Sequence, residues 1–146
     1  MDTKVTPGEI VVMAAGGVGI ISTFLPFADP PFGDSLNAWD GDLFGMFPVA
    51  TLIGIYVLVA GALVALTKFA NVMISNVLGI GMVQLVLVLG FFATLQALAY
   101  LLTEFGGADR GIGYWLLLLS AIASLVGAIL MRNERGAVAG PGPGTV

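Results

Sequence analysis

Any chemistry in this chain must come from carboxylates, hydroxyls and amides, because its 146 residues include no Cys and no His. The commonest metal ligand and the usual general base near neutral pH are therefore missing. So are a disulfide framework and thiol chemistry. Asp40-Gly41-Asp42 has the look of part of a calcium loop, but no acids follow at the required spacing and no terminal Glu closes it. A solvated acidic turn without a metal is expected there. No Ser or Thr stands at a telling spacing from a base, so no catalytic residue, enzyme activity or cofactor is expected.

The amides and hydroxyls that remain lie in an apolar stretch: Asn76, Gln84, Thr94 and Gln96. An amide facing lipid is costly, so these side chains are expected to face other helices or an interface. Asn76 and Gln84 lie roughly 80° apart around a helix and could share one broad face, as the lining of a pore or carrier for a neutral solute would. Ile80, midway between them, interrupts that track. Interhelical hydrogen bonding is the simpler role.

The elements that must position these residues follow from composition. Hydrophobic residues make up 58% of the chain and charged residues 10%, against roughly 25% charged in an ordinary soluble domain. A domain of this size leaves about a third of its surface exposed, and so few charges cannot make that surface water-friendly. The expected surroundings are a lipid bilayer. A disordered chain, a nucleic-acid-binding module and a typical cytosolic enzyme are excluded.

Four apolar windows lack Asp, Glu, Lys and Arg altogether: about 10–27, 47–66, 70–102 and 112–131. Each reaches the roughly 20 residues needed to cross the hydrocarbon layer, the first only just, and none alternates as a barrel strand would. The expected fold is all-α, a membrane-spanning four-helix bundle occupying 1–131. An outer loop covers 28–46, and a flexible tail at 132–146 contains Gly-Pro-Gly-Pro-Gly. The first window keeps its small residues, Ala14 to Gly17, in the middle of the run, so a retained helix is expected in preference to a cleaved leader. Asn71 is placed to cap the third helix after a turn at Thr67–Ala70. About 30 helical residues there would reach roughly 45 Å across a roughly 30 Å layer. Tilt, bending at Gly79, Gly81 or Gly90, or a protruding end would absorb the excess.

Four crossings put Lys4, Lys68, Arg132 and Arg135 on one side and only Arg110 on the other, which predicts cytoplasmic termini. The net charge of −4 then divides into about −5 outside and +1 inside. Glu9 falls at the edge of helix one, where the helix dipole favours an acid. It lies too shallow for the intramembrane carboxylate that a proton-coupled exporter needs. The outer loop mixes acids with aromatics, and Phe32, Trp39 and Phe44 are expected to dip to the interface. Trp39, Asp40 and Asp42 form a candidate partner surface.

Small residues recur at helical spacing: Ala15 with Gly19, Ala50 with Gly54, Gly61 with Ala65, and Ser120 with Ser124. Such stripes let backbones approach closely. They fit packing within one bundle and, alternatively, a homo-oligomer face.

Ser22-Thr23-Phe24-Leu25-Pro26-Phe27, Ser35-Leu36-Asn37-Ala38-Trp39, Leu66-Thr67-Lys68-Phe69-Ala70-Asn71-Val72 and Gly106-Gly107-Ala108-Asp109-Arg110-Gly111-Ile112-Gly113-Tyr114-Trp115 occur in this order. Together they resemble an uncharacterised family of small four-helix integral membrane proteins of actinobacteria, over roughly residues 10–131. Family members often carry Trp or Tyr after the Leu-Pro, where this chain has Phe27. The resemblance implies a tetraspan protein of the bacterial plasma membrane and brings no activity or ligand. The expected role is that of a non-enzymatic accessory or scaffold subunit, with a homo-oligomer or a membrane protein as partner. A solute pore or carrier and a phage-type holin are the alternatives.

Overall fold

The computed structural model describes residues 4–40, 50–70, 72, 79–102 and 108–138. Among these the chain forms four helices: α1 (Pro7–Ser22), α2 (Ala50–Phe69), α3 (Met82–Ala99) and α4 (Ile112–Val138). The last three are long and apolar enough to cross a membrane. α1 has 16 residues, and a tighter turn through Thr23, Phe24 and Leu25 extends it with i→i−3 hydrogen bonds. Helices suit this composition because each satisfies its own backbone groups where no water can do so.

α1 lies between α2 and α4, and α3 lies between the same two helices on the opposite corner. The start of α1 meets the last turns of α4, where the Gly8 N–H donates to Glu134 Oε1 at 3.2 Å. Both ends of the bundle's chain therefore emerge at one end of the bundle. The far end is tied by a two-stranded ribbon in which β1 (Ala28–Asp29) pairs antiparallel with β2 (Asp109–Arg110). The core divides into a half at the ribbon end, around Phe27, Ile53, Tyr100 and Leu117, and a half at the other end, around Val12, Val64, Val86 and Met131.

The element boundaries differ from the expected ones in six places. α1 stops at Ser22 instead of residue 27 and α3 at Ala99 instead of 102, each passing into a tighter turn. The other four each have a local cause. α1 begins at Pro7 instead of residue 10, because Thr6 and Glu9 form a capping box: Thr6 N–H donates to Glu9 Oε2 at 2.9 Å, and Glu9 N–H donates to Thr6 Oγ1 at 3.4 Å. α2 runs through Thr67, Lys68 and Phe69, which were expected to form a turn. α3 begins at Met82 instead of residue 70. Gly79 holds φ +79 and Gly81 stands extended as the N-cap, so the excess length expected of a single helix is spent on a break before it. Asn71 lies outside the described residues, as do 73–78 and therefore Asn76. α4 continues to Val138 instead of ending at 131. The Gly8–Glu134 bond anchors that extra turn to α1, so 132–138 is helix and not tail.

Candidate functional site

The small-residue faces are spent inside the bundle. A Cβ on Gly16 would come 3.1 Å from the Gly61 Cα, and one on Gly61 would meet the Gly16 Cα at the same distance. Ala15 is buried beside this seam. Gly19 faces Val57 of α2 and Ser120 of α4, with 3.2–3.5 Å left for a Cβ. Gly54 is covered by the Thr23 methyl group. Gly90 of α3 lies against the backbone of Leu125 and Ser124, at 3.0–3.2 Å from an added Cβ. Ala15, Gly19, Gly54, Gly61, Ser120 and Ser124 thus join helices of one chain.

The polar residues of α3 do not assemble into a track. Thr94 Oγ1 donates to the Gly90 carbonyl of its own helix at 2.8 Å. Gln84 sits in the first turn, its Oε1 accepting the Gly81 N–H at 3.4 Å. Gln96 stands near the other end of the helix, where Tyr100 N–H donates to its carbonyl. Gln96 Oε1 and Ser124 Oγ are buried without a hydrogen-bond partner among the described residues. Ser120 Oγ donates back to Leu116 O at 2.7 Å.

At the ribbon end, an aromatic cap closes the bundle. Phe27 meets Tyr100 and Tyr114 edge-on at ring-centroid distances of 5.3 and 5.4 Å, and all three are buried. Tyr114 Oη donates to Ala97 O at 2.9 Å, across from α4 to α3. Burial pushes the Tyr100 hydroxyl up to about 12, against an opposing hydrogen bond from the Ala50 backbone. Arg110 Nη2 donates to Tyr100 O at 3.2 Å and to Leu101 O at 2.8 Å, so the guanidinium caps the turn that ends α3. It also lies 5.8 Å from the Tyr114 ring centroid.

The start of α4 is docked by two glycines. Gly111 N–H donates to Phe27 O at 3.0 Å and Gly113 N–H to Pro26 O at 2.7 Å. A Cβ on Gly111 would collide with the Pro26 carbonyl. The glycine contacts escape a sequence reading because the partners are more than eighty residues apart and share no periodicity.

The loop after α1 folds back on the bundle at Trp39. Its Nε1 donates to Thr23 Oγ1 at 2.9 Å, its ring stacks on Phe24 at 5.6 Å, and the Ala38 N–H bonds Thr23 O. Asp40 turns inward on its own loop, where Oδ2 accepts the Asn37 N–H at 2.7 Å. Phe32 is almost fully exposed and touches no core residue of the bundle. Asp42 and Phe44 lie outside the described residues.

At the opposite end the Lys68 ammonium lies 3.0 Å from Glu9 Oε2 and donates to Lys4 O at 3.3 Å. Glu9 is thus the hub that joins the start of α1 to the end of α2. No family model, curated protein or solved structure matches the chain.

Proposed function

We propose that this is a multi-pass protein of the bacterial plasma membrane, with both termini cytoplasmic, acting as a non-enzymatic accessory or scaffold subunit of a membrane complex. The observation that carries this reading is the use of the small residues. They bring α1 against α2 and α4, and α3 against α4, backbone to backbone, and leave no continuous polar path through the described residues. A closed bundle of this kind offers its outer faces to lipid and to other proteins.

α3 presents the surface best suited to a partner helix. It is the least buried of the three long helices, and Val88, Phe91, Phe92, Leu95 and Leu98 form one exposed stripe along it. The orientation follows the placement of cations: Lys4, Lys68, Arg132 and Arg135 belong to one end of the bundle and Arg110 to the other.

Purification of the full chain in a mild detergent tests the role. The accessory reading predicts a stoichiometric co-purifying membrane protein that is lost in the Phe91→Ala/Phe92→Ala variant. A monomer without any partner protein would contradict it.

A further inference from the structure

At the end of the bundle where α1 begins and α4 ends, a cavity of about 990 Å³ opens between the last turn of α2, the first two turns of α3 and the last turns of α4. Its composition is divided. Ile80, Leu87 and Val88 supply an apolar wall, while Arg132 and Arg135 supply two guanidiniums from one face of α4. Neither arginine forms an ion pair or hydrogen bond among the described residues. Among the described residues the ion pair at this end joins Glu9 to Lys68 and engages neither arginine, and Glu134, between them in sequence, turns its Oε1 to the Gly8 N–H. The N-terminus of α3 opens on the same space through Gly81, Met82 and Val83, adding the positive end of its helix dipole.

We propose that this cavity binds the phosphodiester headgroup of an anionic phospholipid. The headgroup lies between Arg132 and Arg135, and an acyl chain runs along Leu87 and Val88. Guanidinium forks match phosphate oxygens in pairs, and basic pockets between membrane helices at the bilayer boundary hold such headgroups. A lipid fits better than free phosphate because the apolar wall has no use for an inorganic ion. That wall is continuous through half-exposed Val88 with the outward stripe of α3. The proposal rests on the chain's membrane placement and not on the accessory role.

The test uses the full chain, reconstituted in nanodiscs of mixed phosphatidylglycerol and phosphatidylcholine, released into detergent and weighed intact with its retained lipid. The wild type is expected to retain one phosphatidylglycerol with about tenfold preference over phosphatidylcholine, equivalent to ~1.4 kcal/mol. Arg132→Gln/Arg135→Gln should bring the two lipids close to parity, and Arg132→Lys/Arg135→Lys should keep part of the preference. Val88→Trp, which fills the wall and leaves the charges in place, should also release the lipid. Equal retention of both lipids by the wild type overturns the proposal whichever variants fold. So does release of bound lipid by millimolar inorganic phosphate, which would make this a free-anion site. Extraction of the chain from native membranes by alkaline carbonate would instead refute the membrane placement itself.

Discussion

Gly16 and Gly61 bring α1 and α2 into backbone contact, each leaving only 3.1 Å between an added Cβ and the other's Cα. That seam marks where the bundle is closed on itself. Gly61→Leu should cost about 1–3 kcal/mol or more, because no flexible side chain can yield at the contact. Gly17, one residue from Gly16, faces open space. Gly17→Ala should change stability by less than about 1 kcal/mol, in the stabilising direction. Reversible unfolding of the two variants in detergent measures the contrast. A dimer-breaking effect of Gly61→Leu with no loss of monomer stability would show that the seam joins chains instead.

The ribbon end should be equally intolerant at Gly111. A methyl group there drives into the Pro26 carbonyl, so Gly111→Ala should destabilise the protein by about 1–3 kcal/mol despite its small size. Phe27→Ala removes the ring between Tyr100 and Tyr114 and should cost about 3–5 kcal/mol. Near-ultraviolet circular dichroism should report loss of the aromatic cap in both variants, with helix content largely kept.

Much of this was legible in advance, for stated physical reasons. Apolar windows without charge marked the helices, and small residues at i and i+4 marked the seams, because both signals are local and periodic. Glu9 was legible as a helix-start acid, but its partner Lys68 was not, since only the packing of α1 on α2 brings them together. The break before α3 was legible as a candidate bend at Gly79 or Gly81 but not as a helix start, because Val77 to Val83 is almost wholly apolar and hydropathy does not register the positive φ of Gly79. The extra turn of α4 was hidden by the Gly8–Glu134 bond. The arginine cavity depends on both of these features, so it had no signature in the sequence beyond the charge of Arg132 and Arg135.

The Glu9–Lys68 pair gives a third prediction. Glu9 is buried while Lys68 is partly exposed. Lys68→Met should therefore leave a buried carboxylate short of a partner and cost about 1–3 kcal/mol. Glu9→Gln/Lys68→Met should recover much of that loss, because the uncompensated charge is gone. A double-mutant cycle of thermal unfolding checks this, and additive losses would mean that the pair is not coupled.

Orientation is accessible through introduced thiols, since the chain has no Cys of its own. Ser35 and Ala137 are both exposed, at opposite ends of the bundle. A membrane-impermeant maleimide applied to intact cells should label Ser35→Cys and leave Ala137→Cys unmodified until the membrane is opened. The reverse pattern would invert the topology, and labelling of both from outside would mean an even number of crossings between the two positions.

The claim that α3 meets a protein partner is tested most directly by site-specific photo-crosslinking in living cells. A crosslinker replacing Phe91 or Leu95 on the exposed stripe of α3 is compared with one replacing Ile21, which is exposed on the diagonally opposite α1. The account predicts one discrete protein adduct from Phe91 and Leu95 and none from Ile21. Lipid adducts alone from all three positions would contradict it.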